Sequence, residues 1–157
     1  MKAEDKQTLR QLLTSQRVAA LAVLLDGRPY TGLMAFAVRP DFSAVLIHAS
    51  DLARHTAGLQ EGAAFSLLVH LPDSEARNPL AIPRVSLQGR VCRIPRETEA
   101  YRQAKQVYRA KFPDSEQVFA LKDFNFYELV IETGRFVAGF GAIYNLTPQT
   151  LRAYSTA

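Results

Sequence analysis

Apolar positions along the chain fall mostly into short alternating or continuous runs, and take helical spacing in only three places. Leu9, Leu12 and Leu13 share one face of a helix, which predicts an amphipathic helix over Lys2–Ser15. VAALAVLL, Val18–Leu25, is an almost wholly apolar run and predicts a strand. Asp26–Pro29 (DGRP) supplies turn chemistry, because Asp and Gly tolerate a tight reversal and Pro pre-sets φ. Tyr30–Val38 (YTGLMAFAV) then completes a hairpin. Ala44–Ala49 (AVLIHA) is a third strand, and three strands joined by short turns predict an antiparallel meander.

The period changes over Ser50–Gln60. Leu52, His55, Thr56 and Leu59 take helical spacing, Ser50 or Asp51 would cap the helix, and Gly62 would end it. Ala63–Leu71 predicts a fourth strand. Pro72–Pro83 carries three prolines and no period, so it reads as a loop. Arg84–Ile94 alternates as a fifth strand, with Gly89 marking a bulge or bend. Arg96–Phe112 predicts a helix with Tyr101, Ala104, Lys105 and Tyr108 on one stripe, stopped by Pro113. Asp114 or Ser115 would cap a short second helix. Asn125–Phe140 reads as strand, turn at Thr133-Gly134, strand. The expected fold is mainly β with flanking helices (α+β), an antiparallel sheet of six or more strands closed into a small barrel.

Composition narrows the functional classes. A chain of 157 residues that is 48% hydrophobic and 22% charged is expected to form one globular domain, 1–157. One cysteine, Cys92, excludes an intramolecular disulfide and a cysteine-rich metal cluster. No apolar run reaches membrane-spanning length, and the N-terminus lacks the features of a secretory signal, so a cytoplasmic protein without membrane association is expected. The net charge of +4 is unevenly placed, because Arg77–Lys111 holds nine basic residues and two acids. Such a run suits an anionic partner or a solvated face. Aromatic residues do not interleave with it, which counts against nucleic acid.

Candidate chemistry concentrates at Ile47–Thr56, where a strand runs into a helix start. Ser50, Arg54, His55 and Thr56 with free backbone N–H groups would suit a phosphate, and Ser50 would otherwise serve only as a cap. Gly32 in TGLMAF (Thr31–Phe36) would let a flat ligand approach the backbone. Arg84, Ser86 and Gln88 form a polar row on one strand face. His48 and His70 each end a strand, and a lone histidine there reads as packing rather than as a ligand. Cys92 reads as packing within a strand. There is no dinucleotide fingerprint and no nucleophile elbow.

The order of YTGLMAFA, HASDLARHTAGLQEG, RVSLQGRV and GRFVAGFGAI resembles the FMN-binding split-barrel superfamily, the pyridoxamine 5′-phosphate oxidase-like proteins. Within it, SDLARHTAGL, PRVSLQGRV and RFVAGFGAI are most similar to the haem-utilisation branch. The resemblance spans about Leu9–Ile143. It implies an antiparallel, Greek-key-like split β-barrel, a homodimer with cofactor sites between subunits, and FMN as cofactor, with haem as the alternative. By the same resemblance, Thr31, Gly32, Leu33, Met34 and Ala35 run along the flavin. His48, Ala49, Ser50, Arg54, His55 and Thr56 hold its phosphate, with His55 as a pH-dependent charge, and Arg84 touches the ring. The implied activity is flavin-dependent redox chemistry on a small-molecule substrate. The alternatives are a haem-binding protein and a non-enzymatic flavin-binding module. The oxidases close their site with a Trp- and Arg-containing segment. This chain has no Trp, which counts against pyridoxamine phosphate oxidation.

Overall fold

A computed structural model describes residues 1–155. The chain forms helix α1 (Ala3–Ser15), strands β1 (Val18–Leu25), β2 (Arg28–Ala35), β3 (Ala37–Val38), β4 (Ala44–Ser50), β5 (Ala64–His70) and β6 (Arg84–Arg93), and helices α2 (Glu99–Lys111) and α3 (Glu116–Phe119). Strands β7 (Phe124–Gly139) and β8 (Ala142–Leu146) and helix α4 (Pro148–Ser155) follow. No described helix is long and apolar enough to cross a membrane.

One antiparallel sheet runs in the order β2-β1-β5-β6-β7-β4-β3, with β8 added to β7. Its two edge strands, β2 and β3, are halves of one chain segment separated only by Phe36. The predicted strand Tyr30–Val38 is therefore real, but it changes partner at Phe36, from β1 to β4. This switch curls the sheet into a barrel, so the first three predicted strands do pair antiparallel in succession, but through different parts of the middle one. The β1–β2 turn is the two-residue Asp26-Gly27, both at positive φ, as a hairpin of right-handed twist requires.

Alternation sorts the strands into two faces. Leu21, Val23, Leu67, Val69, Val85, Leu87, Leu129 and Phe136 point inward, and α1 lays Leu9, Leu12 and Leu13 into the same core, all three at 0% exposure. Against the other side of β4, a second cluster joins Leu46, Ile94, Ala104, Tyr108, Phe119 and Phe126, so that α2 and α3 dock there. Ionic and carbonyl partners absorb much of the basic run. Arg102 pairs with Glu99 at 2.7 Å, Arg90 lies 3.8 Å from Glu132, Arg109 pairs with Glu116, and Arg96 donates to the carbonyls of Leu121, Lys122 and Phe124.

Two local expectations are corrected. Ser50–Gln60 is not a helix capped at Ser50. Ser50 ends β4, and only Arg54–Gly58 forms a 3-10 turn, whose N-cap Ala53 offers no side-chain cap. Gly58 sets that turn's seat, because a Cβ there would lie 2.7 Å from Val23. Thr133-Gly134 is not a turn. β7 continues through it for 16 residues, pairing β6 from Arg93↔Tyr127 to Arg84↔Val137. Gly134 is small because Leu87 and Leu146 press on it, at 3.0 and 3.2 Å from a built Cβ. The reversal falls instead at Phe140-Gly141, leading into β8, and α4 then packs back so that Arg10 reaches the carbonyls of Tyr154 and Ser155 at 2.7 and 2.6 Å.

Candidate functional site

The residues singled out for a phosphate do not form one cradle. Ser50 Oγ donates to Asp123 Oδ2 at 2.7 Å and accepts from the Leu52 N–H at 3.1 Å. Thr56 Oγ1 donates to the Ser50 carbonyl at 2.6 Å, and Asn125 binds Asp51 Oδ1 at 3.1 Å. Both hydroxyl protons are thus used inside the chain. The carboxylates of Asp51 and Asp123 beside Ser50 disfavour a second anion there. His48 and Ala49 are buried on opposite faces of β4, Ala49 in the main core and His48 among Tyr108, Phe119, Phe124 and Phe126. Burial, with the nearby charges of Arg96 and Lys105, lowers the His48 pKa to about 4.

A smaller group does converge. Arg54 lies over the Tyr30 ring at 5.5 Å, and His55 sits against Gly32, where a Cβ would come within 3.2 Å of Nδ1. His55 Nε2 is buried without a partner, and burial lowers its pKa. Burial thus favours the neutral ring, and the pH-dependent charge expected from the sequence is reached only at lower pH than in a free histidine. The adjoining concavity of about 510 Å³ is lined by Leu25, Asp26, Arg28, Pro29, Tyr30 and Arg54. Thr31, Leu33 and Ala35 alternate to the outer face, while Met34 enters the core.

Arg84 is elsewhere. It follows the Pro72–Pro83 loop, three strands from β2 in the sheet order, and its Nη1 donates to the carbonyls of Leu80 and Ile82 at 3.2 and 3.0 Å. Its cross-strand partner is His70, and the row continues through Val137 on β7 to Ile143 on β8. Directly opposed residues share a face, so these four side chains leave the outer side of the sheet together. His70 is exposed, and its Nδ1 lies 2.7 Å from the Leu71 carbonyl. A carbonyl only accepts, so in the neutral ring Nδ1 is the nitrogen that carries the proton and Nε2 the one that keeps a lone pair. A hydrogen bond of this kind fixes the ring of a metal-ligating histidine. Sequence reasoning set His70 aside with His48. The signal that separates them is parity, because Phe65, Leu67 and Val69 point inward and His70 is out of phase with them.

The pyridoxamine 5′-phosphate oxidase family model matches residues 5–138. The chain belongs to that family. Among its relatives, the haem oxygenase HutZ of Vibrio cholerae serotype O1 is 27% identical over 127 residues, covering 80% of this chain and 71% of HutZ. A haem-binding protein from Mycobacterium smegmatis superposes with a TM-score of 0.82 at 23% identity, over 98% of this chain and 62% of that one. This chain thus spans less than two thirds of that mycobacterial protein. A second protein from the same organism, which binds FAD and haem, superposes with a TM-score of 0.62 at 17% identity, over 89% of this chain and 81% of that one. The split-barrel fold expected from the sequence is the fold of the family.

Haem asks for an axial donor, cations for its propionates and apolar surface for its ring. The His70 row fits these needs. Nε2 would be the donor, Arg84 keeps Nε and Nη2 without partners among the described residues, and Val137 and Ile143 would supply apolar surface.

Proposed function

We propose that this chain is a haem-binding member of the family that holds haem on His70, at the rim of the uncovered outer face of the sheet. The observation that carries this reading is the His70 imidazole, pinned through Nδ1 to the Leu71 carbonyl with Nε2 free and Arg84 as its strand neighbour. Haem-named relatives in the same family support it. When bound, haem supplies an iron centre able to work on oxygen or electrons. His70 Nε2 would give its lone pair to that iron, Arg84 would meet a propionate, and Val137 and Ile143 would keep water from the ring. Hemin affinity is expected to fall at least tenfold in His70→Ala and to be unchanged in His55→Ala, read from the Soret band during titration. Equal affinity in His70→Ala and wild type would remove His70 from the site.

The working unit under this proposal is a homodimer. No helix among the described residues covers the outer face of β1 and β2, where Val18, Leu24 and Leu33 are 50%, 53% and 72% exposed. An apolar sheet face of this kind is better suited to a second copy than to water. Sedimentation at micromolar concentration is expected to give twice the 17.5 kDa chain mass, and a single-chain mass would contradict the dimer. A flavin reading, with FMN acting on a small molecule, keeps one specific support. Arg54, Tyr30, Gly32 and His55 meet beside a concavity with two arginines and an aromatic ring.

A further inference from the structure

Lys111 is the last residue of the basic run and of α2, and it turns inward. Its Nζ lies 3.9 Å from the centre of the Phe36 ring, which is itself fully buried. The nitrogen is buried and has no hydrogen-bond partner. Arg17 lies close by, over the Phe112 ring at 5.5 Å. Among the described residues no carboxylate pairs with either cation. A ring face compensates only part of an ammonium's lost hydration. Burial, with the Arg17 charge beside it, lowers the Lys111 pKa to about 8, which marks the same want of a counter-charge.

The lysine also borders a cavity. A space of about 290 Å³ lies between α1, β3 and α2, walled by Leu13, Ala37, Val38, Val107 and Ala110 beside the Lys111 stem. Thr14 adds a hydroxyl whose proton is already donated to the Arg10 carbonyl at 2.8 Å, so it brings no donor for an anion. The cavity thus sets an apolar wall beside a lysine whose unpaired ammonium, buried over Phe36, can swing into it on a flexible four-carbon stem. At roughly 30 Å³ per water-sized group, it has room for about ten heavy atoms.

We propose that the cavity between α1 and α2 binds a medium-chain aliphatic carboxylate, its tail against Leu13, Val38 and Val107 and its carboxylate paired with the Lys111 ammonium. The site shares no residue with the His70 row, so it stands or falls independently of haem binding.

Calorimetric titration of the full chain with sodium octanoate tests this, with octanol as the uncharged probe of equal length. Wild type is expected to bind one octanoate per chain, and octanol at least tenfold more weakly. Lys111→Met keeps the apolar stem and is expected to bind octanoate at least tenfold more weakly than wild type. Val107→Phe fills the cavity while sparing the ammonium, and is expected to lose octanoate binding with an unchanged circular dichroism spectrum. This second variant keeps the test decisive if Lys111→Met does not fold. No octanoate binding by wild type would overturn the proposal. So would equal affinity for octanol, or octanoate binding retained in either folded variant.

Discussion

Gly89→Ala is expected to destabilise the chain by about 3 kcal/mol or more, the upper end of what overpacking costs. A Cβ at Gly89 would stand 1.8 Å from the Val130 carbonyl oxygen, 2.9 Å from its carbon and 3.0 Å from the Glu132 nitrogen. All three atoms are backbone of β7, so no rotamer change relieves the clash and the strand itself must move. The pairing register shifts between Gln88 and Gly89, the bulge that bends β6 so that β7 follows it on both sides. Small domains hold only 5–15 kcal/mol in total, so the loss is a large share of the fold's stability. Urea denaturation of the variant should show a much lower midpoint. An unchanged midpoint would mean that β6 and β7 separate easily at the bulge, contrary to the structure.

The second large effect is acid sensitivity through His48. Its ring is packed 4.4 Å from Phe126 and 5.3 Å from Phe119, centre to centre, and its Nε2 has no partner. The folded pKa, about 4, lies below the model-peptide value of 6.5. Below pH 6.5 the unfolded chain therefore takes up a proton that the folded chain refuses until about pH 4. The stability from this residue is fully present above 6.5 and is lost as pH falls towards 4, by roughly 3 kcal/mol in all. His48→Leu removes the titration and keeps the ring cluster apolar. Unfolding free energies at pH 7 and pH 4.5 should therefore differ less in His48→Leu than in wild type. Equal differences in the two proteins would show that His48 does not refuse the proton.

Much of the barrel was legible in the chain because its strands alternate. Val18–Leu25, Ala63–Leu71 and Arg84–Ile94 read as strands, and the structure places β1, β5 and β6 there. The partner switch at Phe36 was not legible, because a strand's partner is a tertiary choice and the residue pattern runs unbroken through it. β8 and α4 went unread, and Gly134 passed for a turn when its smallness answers to the side chains of Leu87 and Leu146. At the candidate site, the approach of His55 to Gly32 and of Arg54 to Tyr30 follows from the 3-10 turn after β4, where the sequence suggested a helix. Ser50 looked like a cap because cap and strand-end serines have the same local sequence, and only the fold brings Asp123 to its hydroxyl. His48 and His70 looked alike for a related reason. β4 is apolar on both faces, so its parity is silent, whereas β5 declares which side faces out.

Under the proposed function this family member carries haem. The most direct measurement is an absorbance spectrum of the purified full chain after equimolar hemin and, separately, equimolar FMN, each followed by desalting. A Soret band is expected to stay with the protein in a one-to-one ratio and to weaken in His70→Ala. Flavin bands retained without any Soret band would contradict it and give the site to the Arg54 and His55 corner.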